Sequence, residues 1–178
     1  MPAVLFVCTA NQFRSPLAAA FFNRKLQRLD WKGSWKALSA GTRALPGSPA
    51  LPVAAQVGSQ LGVSLLEHRA QEITPALIST QDVILTMERQ HKEALQIEFP
   101  LFAKRIFLLT EMSIEAQGEI ADPVEHPEKN PHLLAIEIEA LVESSFYRIC
   151  AQALKFNYSA GPRLRAERIF YQMDGIRN

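Results

Sequence analysis

Cysteine is scarce. Cys8 and Cys150 are the only two in 178 residues, too few for a secreted disulfide scaffold. Long apolar runs are missing as well, since none approaches the roughly 18 residues that span a bilayer. The N-terminus lacks a basic segment, and Asn11 and Arg14 soon interrupt its apolar stretch. It does not read as a signal peptide. Charge of one sign is missing too: 19 Lys and Arg against 18 Asp and Glu leave a net charge of +1. Such a balance gives no global electrostatic case for nucleic acid or an anionic membrane. There is no internal repeat and no low-complexity segment. What is present is 48% apolar and 21% charged residues, the composition of one ordinary soluble domain. A chain of this length buries about 70% of its unfolded surface without disulfide staples. The expectation is a soluble cytoplasmic protein.

Periodicity predicts alternating strands and helices. Ala3 to Val7 is an apolar run of strand length, the pattern of a strand buried on both faces. From Ser15 the period becomes helical: Leu17, Ala18, Phe21, Phe22, Leu26 and Leu29 form one stripe, with Arg24, Lys25 and Arg28 elsewhere. Ser15 suits an N-cap and Pro16 the first helical position. A second strand is expected over Lys36–Ala40, and Thr42–Pro52, with three prolines and one glycine, reads as a loop. A helix follows from about Val53 to Leu61 and stops at Gly62. Asp82–Thr86 reads as a strand, Glu88–Ile97 as a helix, and Lys104–Leu109 as a further strand. Thr110–Pro131 has little period and is long for a connection, hence a candidate functional loop. His132 to Phe156 is the last helix, its buried side lined by Leu134, Ile138, Leu141, Val142, Ile149 and Ala153. The order β-α-β-α-β-α-β-α implies an α/β fold: an open, mostly parallel four-stranded sheet with helices on both faces. Such sheets hold ligands at the carboxyl ends of their strands.

Charge is uneven in the second half. Glu111 to Glu143 carries nine acidic residues and one basic one, which reads as solvated surface. After Phe156 arginines dominate, and Leu164, Ile169, Phe170, Tyr171 and Met173 make the end too apolar for a purely solvated tail. These residues would pack on the body or on a second subunit, as in a homodimer.

The informative segment is the loop after the first strand, Cys8-Thr9-Ala10-Asn11-Gln12-Phe13-Arg14-Ser15-Pro16. Successive backbone N–H groups in so short a strand-to-helix loop can curl into an anion-binding nest, and the positive end of the following helix reinforces it. Arg14 offers a planar fork matched to phosphate oxygens. These features also favour thiolate over thiol at Cys8. A lone cysteine ending an apolar strand is ordinarily a small core residue; the Cys-x5-Arg-Ser-Pro context argues for a nucleophile set in an oxyanion cradle.

Here the sequence resembles the low-molecular-weight protein tyrosine phosphatase family, whose loop reads Cys-x5-Arg-Ser. Ser39-Ala40-Gly41-Thr42 matches the family's second-strand motif, Gly62 and His68 sit where it has a glycine and a histidine, and Asp122-Pro123 matches its acid loop. The resemblance runs from Val4 to about Lys155. It implies a Rossmann-like phosphatase domain over residues 1–156, followed by a C-terminal extension over 157–178 of unknown role. It implies Cys8 as nucleophile, Arg14 as phosphoryl ligand and Asp122 as general acid. Thr9 to Ser15 would be the phosphate-binding loop, with Asn11, Ser15, Ser39 and His68 supporting it: Ser15 would hydrogen-bond the thiolate, and Asn11, Ser39 and His68 would form the network that holds the loop in its strained shape. Gln12, Leu45 and Val124 would wall the substrate pocket. It implies a reaction through a phosphocysteine intermediate, without metal or cofactor, on a phosphorylated protein or a small phosphate ester. An acid in the Asp122 position makes chemical sense, because a departing alkoxide or phenoxide needs a proton. Asp-Pro is also a common turn dipeptide.

The departures matter as much. Phe13 stands where many members carry a second loop cysteine. Leu45 stands where phosphotyrosine-directed members carry Trp or Tyr, and Val124 where an aromatic often follows Asp-Pro. Ala10 replaces the usual glycine and Glu88 the usual aspartate. Two rival readings follow. Arsenate reduction would need a resolving cysteine, and Cys150, on a core-facing stripe, is the only candidate. A catalytically weak phosphate-binding regulatory module would explain the lost aromatics, yet it would need neither the thiol nor the acid.

Overall fold

A computed structural model describes residues 1–159. The chain order is β1 (Ala3–Cys8), α1 (Arg14–Arg28), β2 (Lys36–Gly41), α2 (Pro52–Gln60), α3 (Pro75–Ser79), β3 (Val83–Thr86), α4 (Arg89–Glu98), β4 (Ile106–Leu108) and α5 (Pro131–Ser159), with short 3-10 turns between. The four strands form one sheet in the order β2-β1-β3-β4, and every pairing is parallel. The α/β architecture and the strand assignments follow the expectation, with ends shifted by a few residues. Leu164, Ile169, Phe170, Tyr171 and Met173 all lie outside the described residues. Among the described residues no helix is long and apolar enough to cross a membrane.

β1 is buried along its whole length because a central parallel strand is covered on both sides. Its alternation divides the core. Val4, Phe6 and Cys8 join the large cluster with α1, α2 and α5, where Phe22 packs between Phe6 and Phe146. Leu5 and Val7 join the smaller one with Ile84, Leu95, Phe99 and Phe102. The expected stripes hold but for one residue: Leu17, Ala18, Phe21, Phe22 and Leu26 of α1 are buried, as are Leu134, Ile138, Leu141, Val142, Ile149 and Ala153 of α5, while Leu29 falls just past the end of α1 and is only half-buried.

Two local expectations are corrected and one short helix was missed. Ser15 does not cap α1; the helix begins at Arg14 with Phe13 before it and no side-chain cap, because the Ser15 hydroxyl is engaged elsewhere, as described below. Lys104 and Arg105 belong to a 3-10 turn and not to β4; Arg105 is buried and donates to the Gln81 carbonyl at 3.1 Å. α3 was not foreseen, since five residues are too few to show a helical period. It is started by Thr74, whose hydroxyl accepts from the Leu77 N–H at 3.1 Å. The acidic stretch is also less uniformly solvated than its composition suggests. Glu139 and Glu143 of α5 pair with Arg24 and Lys25 of α1 at 2.6 Å each.

The sheet order fixes where a ligand can sit. From β1 the chain crosses to β2 on one side and later returns to β3 on the other. The crossovers diverge at the carboxyl ends of β1 and β3, which opens a crevice there. Cys8 ends β1, and Met87 and Glu88 follow β3.

Candidate active site

The turn from β1 into α1 takes only five residues, Thr9 to Phe13. Asn11 makes it possible by adopting φ +55°, a left-handed conformation that Asn tolerates better than most side chains. Three partners hold it there. Its Nδ2 donates to Ser15 Oγ at 2.9 Å, its Oδ1 accepts from the Gln71 N–H at 2.9 Å, and its carbonyl lies 2.7 Å from His68 Nε2, which must donate. Gly41 is required for the same turn. A Cβ there would run into the Thr9 carbonyl oxygen and stand 3.0 Å from the Asn11 nitrogen.

Ser15 Oγ is a junction. It accepts from Asn11, lies 3.0 Å from Cys8 Sγ and can donate to the Ala40 carbonyl at 3.2 Å. Its single hydrogen has two claimants. A protonated Cys8 can donate to Ser15 while Ser15 turns to Ala40; a Cys8 thiolate can only accept, so the hydroxyl turns to sulfur. The junction thus accommodates both protonation states without moving a heavy atom.

Arg14, 1% exposed, is clamped from four sides. Nη1 donates to the Ile120 carbonyl at 2.9 Å and pairs with Glu88 Oε1 at 3.0 Å. Nη2 donates to Thr9 Oγ1 at 3.1 Å and to Asp122 Oδ2. Asp122 Oδ1 in turn accepts from the Val124 N–H at 2.9 Å, so Pro123 and Val124 set the carboxylate's angle. The loop that was expected to be functional therefore delivers Asp122 onto the guanidinium.

Cys8, Thr9, Ala10, Gln12, Phe13, Arg14, Leu51, Asp122, Val124 and Glu125 enclose a cavity of about 200 Å³. Gln12 and Val124 line this cavity, and Gln12 Nε2 is spent on the Pro49 carbonyl at 3.0 Å. Leu45 is not among the lining residues. It is 75% exposed, because a turn from Leu45 to Ser48 faces it outward, and Leu51 supplies the apolar wall instead. Phe13 adds an aromatic surface from within the loop. Ser39 supports the loop less directly than expected. Its carbonyl accepts from Gln71 Nε2 at 2.8 Å, while its hydroxyl makes no hydrogen bond among the described residues. Cys150 is buried on α5, and burial pushes its thiol up to about 12.

Three residues were missed by sequence reasoning: Gln71, Leu51 and His91. Gln71 and Leu51 carry no local signal. His91 does, for it follows Glu88 by three positions and shares its side of the helix; its ring lies 3.1 Å from Thr9 and 3.2 Å from Glu88.

Residues 3–157 match the family model described as "Low molecular weight phosphotyrosine protein phosphatase". Among curated proteins, the chain is 38% identical over 120 residues to the probable low molecular weight protein-tyrosine-phosphatase EpsP of Ralstonia nicotianae, covering 67% of this chain and 77% of that one. It is 31% identical over 120 residues to a protein-arginine-phosphatase of Bacillus subtilis, covering 67% and 78%. Among solved structures, a low molecular weight protein tyrosine phosphatase from T. tengcongensis superposes with a TM-score of 0.75 at 32% identity, covering 83% of this chain and 99% of that one.

Proposed function

The chain belongs to the low molecular weight phosphotyrosine protein phosphatase family, whose members are cysteine-dependent phosphatases, and from that premise we propose that Cys8, Arg14 and Asp122 carry out its phosphomonoester hydrolysis. The observation behind this assignment is that one cavity brings the Cys8 thiol, the Arg14 guanidinium and the Asp122 carboxyl to a common space. Arg14 takes two phosphoryl oxygens, with the loop N–H groups beside it. The Cys8 thiolate attacks phosphorus in line, forming the S–P bond as the ester P–O bond breaks. The Ser15 hydroxyl, turned to sulfur, stabilises the thiolate before attack. Protonated Asp122 gives its proton to the departing oxygen. In the second half Asp122 takes a proton from water as that water attacks phosphorus, the S–P bond breaks, and phosphate leaves with Cys8 again a thiolate. Asn11, Gly41, His68 and Gln71 hold the loop in the shape this requires.

The substrate is a phosphorylated protein residue. The relatives include enzymes named for phosphotyrosine and for phosphoarginine. The cavity walls, Phe13, Leu51 and Val124, are apolar, which suits a flat or extended leaving group more than a sugar. Against arsenate reduction stands Cys150, whose buried thiol resists ionisation and so cannot act as a ready resolving nucleophile. The test is Cys8→Ser. It should abolish hydrolysis of p-nitrophenyl phosphate while inorganic phosphate still binds, since the nest and Arg14 remain. Turnover surviving in Cys8→Ser would remove Cys8 from the nucleophile's role.

A further inference from the structure

Arg14 is gripped at both terminal nitrogens, by Glu88 Oε1 at 3.0 Å and by Thr9 Oγ1 at 3.1 Å. Both partners then converge on a single further atom. His91 Nε2 lies 3.2 Å from Glu88 Oε2 and 3.1 Å from Thr9 Oγ1. The four side chains close a ring, and Arg14, Glu88 and His91 are each no more than 7% exposed. The start of α4 builds this arrangement, because Glu88 precedes its first residue and His91 follows one turn on.

The partners assign the protons. Nε2 is in hydrogen-bond geometry with Thr9 Oγ1 and in ion-pair range of the Glu88 carboxylate, which can only accept, so Nε2 carries the ring's single hydrogen and gives it to Thr9 beside that carboxylate. Nδ1 is buried with no partner. A neutral ring protonated at Nε2 leaves only a lone pair at Nδ1. Protonation at Nδ1, alone or in the imidazolium, would instead bury an N–H with no acceptor. Burial, the strongest influence, accordingly holds the His91 pKa below its ordinary 6.5; Arg14 acts in the same direction, while Glu88, Asp122 and Glu119 pull it up. Thr9 Oγ1 then accepts from Arg14 and His91. Its own hydrogen is left for Asp122 Oδ2, 3.4 Å away, or for a phosphoryl oxygen in the cavity.

We infer that His91 is a positioning residue for phosphoryl binding: through Glu88 and Thr9 it sets the plane of the Arg14 guanidinium and aims the Thr9 hydroxyl into the catalytic cavity. His91 is not among the residues lining that cavity, so it acts only through its two partners. The inference rests on the reading above in which Arg14 takes the phosphoryl oxygens.

The experiment compares His91→Leu, His91→Gln and His91→Asn with the unmodified full chain. Each is measured for KM and kcat on p-nitrophenyl phosphate and for inhibition by inorganic phosphate. Arg14 meets the phosphoryl group before the reaction as well as during it. His91→Leu should therefore raise KM and the phosphate Ki together, by about tenfold, with kcat changing less. Gln places an amide N–H near the position of Nε2 and should recover most of both constants. Asn reaches only to the position of Nδ1 and should not. A residue that merely filled space would lower the active fraction, and so kcat, with KM and Ki untouched and no separation of Gln from Asn. That pattern, or unchanged constants in His91→Leu, overturns the inference. If His91→Leu does not fold, the comparison of Gln with Asn decides. Failure of the unmodified chain to hydrolyse p-nitrophenyl phosphate would instead overturn the reading of Arg14 and Cys8 on which this one rests.

Discussion

At the scale of single residues, chemistry and geometry were legible to different degrees. Cys8, Arg14 and Asp122 could be picked out because each has a functional group that a phosphoryl transfer needs, at a spacing a strand-to-helix loop explains. Asp122→Ala should cost about 10²–10⁴-fold in kcat on alkyl phosphates, the usual range for a general acid, and much less on p-nitrophenyl phosphate, whose phenol leaves without help. Equal losses on both would remove Asp122 from that role. Gly41→Ala should destabilise by about 1–3 kcal/mol, as overpacking does, because its methyl group meets Thr9 and Asn11 backbone that has no flexible end to swing away. Chemical denaturation would register the loss, and phosphate affinity should fall with it. The pocket wall was the less legible part. Leu45 and Leu51 are both leucines in one proline-rich loop, and only the turn between them decides which faces the cavity. Val124→Trp should therefore raise kcat/KM for aryl phosphates by up to about tenfold, the value of an aromatic pair of roughly 1 kcal/mol or a little more. Leu45→Trp should leave it unchanged. The reverse ranking in a steady-state comparison would return the wall to Leu45.

At the scale of elements, α1 and α5 are joined by more than their apolar stripes. Arg24 contacts Glu139 at 2.6 Å and Glu143 at 3.4 Å, and Lys25 Nζ lies 2.6 Å from Glu143. Burial pushes the Glu143 carboxyl up, but the hydrogen bond and charge of Lys25, together with Arg24, outweigh it and hold the pKa below its ordinary 4.5. A carboxyl with a depressed folded pKa adds stability above its unfolded value, and that stability is lost as pH falls through the folded one. Glu143→Gln should thus lower stability by about 0.5–1 kcal/mol near neutrality, the upper range for partly exposed pairs. The gap from the unmodified chain should narrow and close in thermal melts as the pH is taken progressively below 4.5. A gap that persisted there would trace to packing and not to charge. The helices themselves could be read from the periodicity of Leu17, Phe21 and Leu134. The clamp could not, since 115 residues separate Arg24 from Glu139.

At the scale of the whole molecule, the two thiols are set apart in character. Cys8 sits at the crevice where the crossovers diverge, whereas Cys150 is enclosed in the helix layer with its thiol near 12. Phe13 occupies the loop position from which a neighbouring thiol could trap a Cys8 sulfenic acid. Peroxide should therefore inactivate the enzyme, and dithiothreitol should rescue it poorly after prolonged exposure, because oxidation proceeds past the sulfenic stage. Full recovery together with a Cys8–Cys150 bond in mass spectrometry would refute this.

The alternation of strands and helices, the parallel sheet and the loop from Cys8 to Arg14 were legible in the residues alone. Each of these is written in neighbouring residues: the apolar run Ala3–Val7, the stripe from Leu17, the Cys-x5-Arg spacing. Tertiary structure alone decided that Gln71 joins His68 in holding Asn11, that the Ser15 hydroxyl reaches the Ala40 carbonyl and does not cap its helix, and that Leu51, not Leu45, lines the cavity. It alone decided as well that Glu88 and His91 meet Thr9 around Arg14. The physical reason is common to all four. Hydrogen bonds and cavity walls form between segments 25 to 108 residues apart, and their partners are set by the order in which a twisted sheet stacks its strands, not by any local periodicity.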